Sequence, residues 1–408
     1  MRLNYGKTFT LGLGFFTISV VWQIYNAYMP VFYSKFVAST AMVGFLMTID
    51  NILALTLQPV VGSLSDRTWT RFGRRLPYLL VSMPLAALFF ILIPFTTGAL
   101  VPLLLTSVLV NIFMASFRSP TIALMPDVTP SPLRSQANGI INLMGGVGYI
   151  IGAFGLSRLY KVAHFWPYAV ASAFLIIVPL ILVRTIKEPR EAEGKANEGF
   201  SLIEATREVL QGREKSALFL LLAIFFWFVG YGGVEALFTK YGISVLGIDE
   251  ADGALTLGFI SATFLLFALP AGFIAARIGR KRSILTGIVV LTVLFAALAS
   301  ARSLMIVRVL FLLAGLFWAM ININSYPMVA DMAGVDNTGA YTSLYYVFSS
   351  LAAIAGPPLF GYLMDRFGYG TMFYWSSLFF VLAFLAMTQV RRGEARTAAV
   401  AAQAVSAD

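Results

Sequence analysis

Three ionisable residues lie inside stretches of the sequence that are otherwise apolar: Asp50, Arg118 and Glu235. A charged side chain is costly to bury in apolar surroundings, so each of the three is a candidate for function. Carboxylic acids in such surroundings can take up and release protons near neutral pH. We therefore expect Asp50 and Glu235 to carry protons and Arg118 to be their charge partner. For Asp50, the alternative is a structural hydrogen bond to Asn51.

A second group of charged residues lies in the segment QPVVGSLSDRTWTRFGRRLPY, residues 58–78. A carboxylate at a helix end, here Asp66, can hold the positive N-terminus of a neighbouring helix in one conformation and release it in another. We therefore expect a gate here, and the alternative is a charged loop that only sets orientation. The predicted gate residues are Gly62, Asp66, Arg67, Arg71, Gly73, Arg74, Arg75, Asp127, Arg134 and Asp331. For the last three, helix capping is an equally good interpretation.

The composition requires a lipid environment for these groups. Of the 408 residues, 59% are hydrophobic and 12% are charged, and the mean hydropathy is +0.83. The net charge of +10 predicts contact with a membrane surface and not with nucleic acid, because the cations fall mainly in short loops between apolar stretches. The chain has no Cys and one His, His164, so we expect no metal site, no cofactor and no enzyme activity.

About 20 apolar residues are needed to cross a bilayer, and the sequence predicts twelve such spans. They lie at 8–36, 41–64, 77–97, 100–125, 136–158, 165–186, 216–246, 254–276, 283–300, 303–329, 339–362 and 371–390. Most of the 29 Lys and Arg residues fall on one side, which predicts cytoplasmic termini in the inner cell membrane and places the gate on the cytoplasmic side. Lys240 lies near the other end of its span, where we expect its ammonium group to snorkel to water.

The two halves of the chain resemble each other. The segment Gly62–Arg75 is echoed by residues 272–282, and the segment beginning at Leu124 is echoed by the one beginning at Met328. Repeats at matching places are typical of an internally duplicated carrier. The predicted fold is all-α, with two pseudo-symmetric six-helix bundles. The predicted domains are 1–186, a cytoplasmic inter-bundle loop 187–215, a second bundle 216–390 and a cytoplasmic tail 391–408.

The segment 58–78, the segment ALMPDVTPSPLRSQANGIINLMGGVGYIIGAF and the twelve-span plan resemble the major facilitator superfamily. More closely, they resemble its glycoside-pentoside-hexuronide group, in the branch of sucrose/proton symporters and their bacterial relatives. That resemblance implies transport of a sugar or glycoside with protons by alternating access. Two positions that carry an Asp and an Arg in the plant symporters are Asn111 and Ile122 here, and Arg118 lies one turn away. Ala54 and Gln58 replace acids of the sodium-coupled melibiose branch, so we expect no sodium site.

The resembled fold surrounds a central cavity with its first, fourth, seventh and tenth spans. Aromatic rings and amides on these spans suit a sugar, because a sugar ring has one C–H face and many hydroxyl groups. The predicted substrate-binding residues are Gln23, Tyr25, Asn26, Asn111, Arg118, Trp227, Tyr231, Trp318, Asn322 and Asn324. The expected partners are a small-molecule substrate, protons and the bilayer, and we expect a monomer. The alternative is an exporter of drugs or other amphiphiles, whose cavity would be apolar with few amides.

Overall fold

The computed structural model describes residues 3–130, 133–188, 207, 209, 215–332 and 338–393. Within these residues the chain is helical. The helices are α1 Tyr5–Ser34, α2 Thr40–Leu46, α3 Ile49–Arg67, α4 Leu76–Thr96, α5 Leu100–Val128, α6 Arg134–Ile150, α7 Ser157–Val162, α8 Phe165–Thr185, α9 Ser216–Tyr241, α10 Glu250–Ile278, α11 Arg280–Ser300, α12 Leu304–Met332, α13 Thr338–Phe367 and α14 Met372–Thr388. Most of the predicted loop 187–215 and tail 391–408 lies outside the described residues.

Twelve helical segments in the described part of the chain are long and apolar enough to cross a membrane, which confirms the predicted number. The second segment, Thr40–Arg67, consists of α2 and α3. Two others contain a π-helical turn, at Ile151–Leu156 and at Gly242–Leu246. The eighth segment begins at Glu250, four residues before its predicted start, because polar residues extend the helix beyond the apolar core.

Backbone hydrogen bonding explains why these segments are helices. In lipid every N–H and C=O group must find a partner within the protein, and a helix satisfies them locally. Hydroxyl side chains in the spans follow the same rule. For example, Thr17 donates to the carbonyl of Leu13 at 2.9 Å, and Ser116 donates to that of Ile112 at 2.7 Å.

The chain divides into two compact units. The first contains Met1–Lys195, Glu235–Ala262 and Pro357–Tyr369, and the second contains Ala196–Val234, Thr263–Gly356 and Gly370–Asp408. In the first unit, α1 packs on α6 and α8, and α5 packs on α3 and α4. In the second, α11 packs on α12 and α14. The predicted division at residues 187–215 stays a prediction.

Within the first unit, the connections between spans lie at two ends. We call the end with the α3–α4 connection, residues 68–75, the arginine end. The opposite end carries the α1–α2 connection, residues 35–39. Within the membrane region, the described aromatic and aliphatic side chains form the packing of each unit. One such cluster in the second unit is Ala271, Ala319 and Met320, with Phe264, Phe267, Ile274 and Phe317 against it.

Candidate functional site

Glu235 lies on α9 in the first unit and is half-buried. The hydroxyl of Tyr149 donates a hydrogen bond to its Oε1 at 2.9 Å. This bond joins the end of α6 to α9 and fixes the orientation of the carboxyl group. Sequence reasoning missed Tyr149, because 86 residues separate it from Glu235 and no local pattern connects them.

Asp50 lies at the start of α3, in the same unit as Glu235. The Nδ2 of Asn51 donates to its Oδ1 at 2.9 Å, so the predicted structural hydrogen bond is present. Asp50 also lies within electrostatic range of Arg118 and Glu235. Of the three predicted proton-coupling residues, Asp50 is therefore the one whose charge both others influence. The hydrogen bond and a coupling role do not exclude each other.

Two of the predicted substrate-binding amides are buried in the first unit. Asn111 donates from Nδ2 to the Tyr25 hydroxyl at 2.9 Å, and Gln23 donates from Nε2 to the carbonyl of Ala254 at 3.2 Å. Both side chains are at most 2% exposed. Their oxygens, Asn111 Oδ1 and Gln23 Oε1, have no hydrogen-bond partner among the described residues. A buried acceptor without a donor costs about 1–3 kcal/mol, so both oxygens favour a donor. Asn26, on the same helix as Gln23, is half-buried.

The second unit holds the aromatic part of the predicted substrate site. Tyr231 stacks on Trp318 with ring centroids 4.2 Å apart and planes 6° apart, and Phe228 meets Trp318 edge-on at 5.6 Å. Asn322 lies one turn further along α12 than Trp318 and is half-buried. Trp318 therefore shares a ring stack with Tyr231 and a helix face with Asn322.

Two other predicted residues of the second unit lie in its packing. Trp227 is fully buried, and its indole N–H has no partner among the described residues. Asn324 is 4% exposed and donates to Ser283 Oγ at 3.3 Å and to the carbonyl of Met320 at 2.8 Å. A role for either in substrate binding stays a prediction.

At the arginine end of the first unit, two arginines hold Asp127. Arg74 binds it through Nη2 at 2.6 Å and Nε at 3.2 Å, and Arg75 binds it through Nε at 2.9 Å. Arg75 also pairs with Asp66 and donates to Ser65 and to the carbonyl of Gly62. Asp66 thus binds an arginine side chain at the start of α4 and not the backbone N–H groups there.

Those N–H groups bind Glu188, which sequence analysis placed in the inter-bundle loop and did not single out. Its carboxylate accepts from the backbone N–H of Arg74 at 2.8 Å, Arg75 at 3.0 Å and Leu76 at 2.9 Å. A carboxylate is favourable at the positive N-terminus of α4. Gly73 has φ +108°, and a Cβ there would lie 2.6 Å from the Glu188 carboxyl carbon. The loop therefore requires glycine at this position.

The remaining predicted gate residues at this end have local contacts. Arg67 and Arg71 are exposed, and the Arg71 guanidinium lies 4.7 Å from the Phe72 ring centroid. Arg134 donates to the carbonyls of Thr129 at 3.2 Å and Pro126 at 3.0 Å, which is the capping interaction considered above.

The second unit repeats this arrangement with a change of charge. Arg280 pairs with Asp331 and donates to the carbonyl of Pro327 at 3.3 Å. The next residue, Lys281, donates from Nζ to the carbonyl of Thr388 at 3.1 Å and to that of Val390. The duplicated loop is therefore tied to the end of α14 by an ammonium group, whereas the first loop is tied by a carboxylate.

At the opposite end, the first unit contains a buried cation. Lys240 is 8% exposed, donates from Nζ to Thr40 Oγ1 at 3.0 Å, and lies 5.4 Å from the Tyr369 ring centroid. The prediction that Lys240 snorkels to water is wrong, because this hydroxyl and ring solvate the ammonium group inside the protein. Nearby, Asp365 accepts from Ser39 Oγ at 2.9 Å and from the backbone N–H of Ala41 at 3.0 Å.

The same end contains a glycine contact between α2 and α13. A Cβ on Gly44 would lie 2.2 Å from the carbonyl oxygen of Pro357, and one on Gly361 would lie 2.2 Å from that of Thr40. Since no side chain fits between them, the two helices approach backbone to backbone.

A second group of contacts at this end joins α7 to the start of α10. Tyr160 donates to Glu250, and the Nζ of Lys161 lies 3.0 Å from carboxylate oxygens of both Asp249 and Asp252. An open cavity of about 650 Å³ is bordered by Tyr160, Lys161, Asp249 and Glu250. We refer to the Lys240, Asp365, glycine and Glu250 contacts together as the opposite-end contacts. Sequence analysis considered a gate at the arginine end only and missed them.

Comparison with known proteins places the chain in a family. The pattern of a family described as "MFS/sugar transport protein" matches residues 10–388. The class B tetracycline resistance protein of Escherichia coli is 24% identical over 346 residues, 83% of this chain and 83% of that protein. The general alpha-glucoside permease of Schizosaccharomyces pombe is 28% identical over 155 residues, 33% of this chain and 27% of the permease.

A crystal structure of the nucleoside transporter NupG has the same fold, with a TM-score of 0.76 at 15% identity over 94% of this chain and 100% of that chain. The twelve helical segments, the matched residues and this shared fold agree. The chain therefore belongs to the major facilitator superfamily, within the family described as MFS/sugar transport protein, and is a membrane transporter and not an enzyme.

Proposed function

We propose that the chain is a secondary carrier that moves a sugar or glycoside together with protons across the inner cell membrane. In this proposal it works as a monomer with both termini in the cytoplasm. The observation that carries the sugar assignment is the pair of buried amide oxygens on Gln23 and Asn111, which lack a donor among the described residues. Sugar hydroxyls can donate to such oxygens, and the Tyr231–Trp318 stack offers aromatic surface to a C–H face.

In this proposal, proton coupling depends on Asp50, Arg118 and Glu235. A charged Glu235 can only accept hydrogen bonds, and it accepts one from Tyr149. Protonation removes one negative charge from the surroundings of Arg118 and Asp50. The balance of charges around the substrate site then differs between the loaded and unloaded carrier, which is what coupling requires.

Alternating access needs contacts that form at one end and break at the other. The opposite-end contacts are formed in this structure, so they must break before substrate can pass that end. In our proposal the ion pairs of Asp127 in the first unit and of Asp331 in the second each hold the gate loop of their own unit. The predicted cytoplasmic gate is the arginine end.

Export of an amphiphile is the second candidate. It is favoured by the match to the tetracycline resistance protein, which extends over most of both chains, whereas the match to the permease covers a third of this chain. The Phe228–Trp318–Tyr231 group would also suit a flat apolar ligand.

A thermal-shift screen followed by flux measurements separates the two candidates. Purified protein is first heated with mono- and disaccharides and with tetracycline, since a ligand that binds only the folded state raises the melting temperature. Reconstituted vesicles with an imposed pH gradient, acidic outside, are then given sucrose, maltose or tetracycline. We expect proton-driven accumulation of a saccharide. Movement of tetracycline against its gradient, without movement of any saccharide, would refute the sugar assignment.

A further inference from the structure

Three tyrosines that sequence analysis did not consider form a cluster in the second unit. Tyr326 on α12 and Tyr345 and Tyr346 on α13 have ring centroids 5.5 Å apart (Tyr326–Tyr345), 6.4 Å apart (Tyr326–Tyr346) and 5.4 Å apart (Tyr345–Tyr346). Tyr345 is 8% exposed and anchors the cluster, with its hydroxyl 3.4 Å from Ser325 Oγ. Tyr326 and Tyr346 are 39% and 59% exposed. The cluster therefore consists of two exposed tyrosine rings packed against one buried tyrosine.

Tyr326 continues the face of α12 that carries the aromatic stack. Trp318, Asn322 and Tyr326 follow one another at intervals of four residues, so they form one stripe. The apolar residues of α12 that are most exposed lie on a different face. They are Met305, Ile306, Val309 and Leu313. At 3.6 residues per turn, the stripe is centred about 150° from that face. The stripe thus points away from the side of α12 that suits lipid.

Tyr346 has a similar position on α13. Thr342, Ser349 and Ser350 lie four or fewer residues from it and on the same side of the helix, and such a polar face does not suit lipid. The exposed apolar residue Leu351 lies about 140° away around the helix. The Tyr326 hydroxyl is 3.4 Å from Thr342 Oγ1, so the polar faces of α12 and α13 meet at the cluster.

An aromatic belt at the membrane surface is the alternative for exposed tyrosines near helix ends. Belt residues face lipid headgroups from the outside of the protein, on the same side as the apolar exposed residues. Both exposed tyrosines of the cluster lie on other sides of their helices. The helical positions therefore favour a water-lined surface over a belt.

We propose that Tyr326 and Tyr346 form a second saccharide-contacting site in the second unit, between the Trp318 stack and the end of α12 that carries the Arg280–Asp331 pair. Eight residues of helix place it about 12 Å from Trp318 along α12. Two tyrosine rings can cover the C–H face of one sugar ring, while their hydroxyls and that of Thr342 suit the sugar hydroxyls. The proposal depends on the proposed sugar transport and adds a second contact site to it.

Cysteine labelling tests the orientation of this site, because the chain contains no native Cys. Tyr346→Cys and Tyr362→Cys are reconstituted in unsealed membranes and treated with a hydrophilic, membrane-impermeant maleimide. Tyr362 is the matched control: it is 57% exposed, lies on the same helix, and falls within about 20° of Leu351 around it. We expect Tyr346→Cys to react on the order of tenfold faster, and sucrose or maltose to slow its labelling severalfold.

Equal labelling of the two variants would overturn the proposal, and so would fast labelling of Tyr346→Cys that neither sugar slows although wild type transports it.

Flux measurements give a second test. Tyr346→Ala should lower the maximal rate of saccharide transport severalfold without changing its affinity at the Trp318 stack, measured by tryptophan fluorescence. Tyr346→Phe should keep most of the rate, and Tyr362→Ala all of it. If Tyr346→Ala transports like wild type, the site does not contact substrate. If wild type itself moves no saccharide, the sugar assignment fails, and the labelling comparison still reports whether Tyr346 faces water.

Discussion

Replacement of Glu235 by Gln tests proton coupling directly. Glutamine has nearly the same shape as glutamic acid, and its side-chain oxygen can still accept the hydrogen bond of Tyr149. A hydrogen bond to a charged group contributes about 1.5–3 kcal/mol and one between neutral groups about 0.5–1.5 kcal/mol, so the loss at this bond is about 1–2 kcal/mol. Part of that loss is offset because a half-buried charge is removed. We expect Glu235→Gln to fold.

The expected loss of accumulation is separate from this effect on folding. One pH unit is worth about 1.4 kcal/mol per proton, which is about a tenfold concentration ratio for one proton per substrate. Wild type should therefore accumulate saccharide about tenfold in vesicles that are one pH unit more acidic outside. Glu235→Gln should reach equal concentrations on both sides. Its exchange of labelled for unlabelled saccharide should continue, because exchange needs no net proton movement.

The matched control is Glu250→Gln. Glu250 also accepts a hydrogen bond from a tyrosine, Tyr160, but it lies at the start of α10 among the opposite-end contacts. We expect this variant to keep the tenfold ratio even if its rate changes. Normal accumulation by Glu235→Gln would refute the assignment of Glu235. Normal accumulation by Asp50→Asn as well would refute coupling through this group of residues.

Three other substitutions test the two ends. Arg75→Met should lower the free energy of unfolding by about 1.5–3 kcal/mol, because it removes a charged hydrogen bond to the buried Asp127, which Arg74 alone then holds. The exposed Arg71→Met should change it by less than about 0.5 kcal/mol. Thermal unfolding in detergent compares the two variants, and equal effects would contradict a stabilising role for the Arg75–Asp127 pair. Gly73→Ala should lower the free energy of unfolding by at least about 1–2 kcal/mol, because residue 73 has a positive φ and the Glu188 carboxylate lies beside it. Gly98 has open space around it, so Gly98→Ala should leave the free energy of unfolding unchanged in the same assay. Lys240→Met should speed hydrogen–deuterium exchange at the opposite end on the order of tenfold, since it removes a hydrogen bond to a charged group, and unchanged exchange would show that this cation does not hold the end closed.

The spans could be predicted from the sequence because the signal is local. A stretch of about 20 apolar residues must be a helix in lipid wherever it lies in the chain. The charged loop at residues 67–75 was found for the same reason. Pairing between distant residues leaves no such signal. Glu188 follows the sixth span by a few residues and looks like one more charge of a hydrophilic loop, yet it binds N–H groups more than a hundred residues earlier.

Lys240 shows a related limit. A lysine near the end of an apolar stretch can extend to water or can be held by a hydroxyl and a ring from other helices. The choice depends on Thr40 and Tyr369, which are remote in sequence from Lys240 and from each other. Gln23, Asn111 and Asn324 were predicted from residue type and span alone. Only the structure shows that their amide N–H groups already bind protein partners.

The opposite charges of Glu188 and Lys281 mean that the two loops are held by different kinds of partner. A carboxylate suits the free N–H groups at the beginning of a helix, and an ammonium suits the free carbonyls at the end of one. A chimera carrying residues 279–282 in place of the first loop would bring the Lys281 ammonium towards the Glu188 carboxylate, and the reverse graft would leave the carbonyls of Thr388 and Val390 without an ammonium group. Each loop is therefore matched to the chain segment that holds it in its own unit.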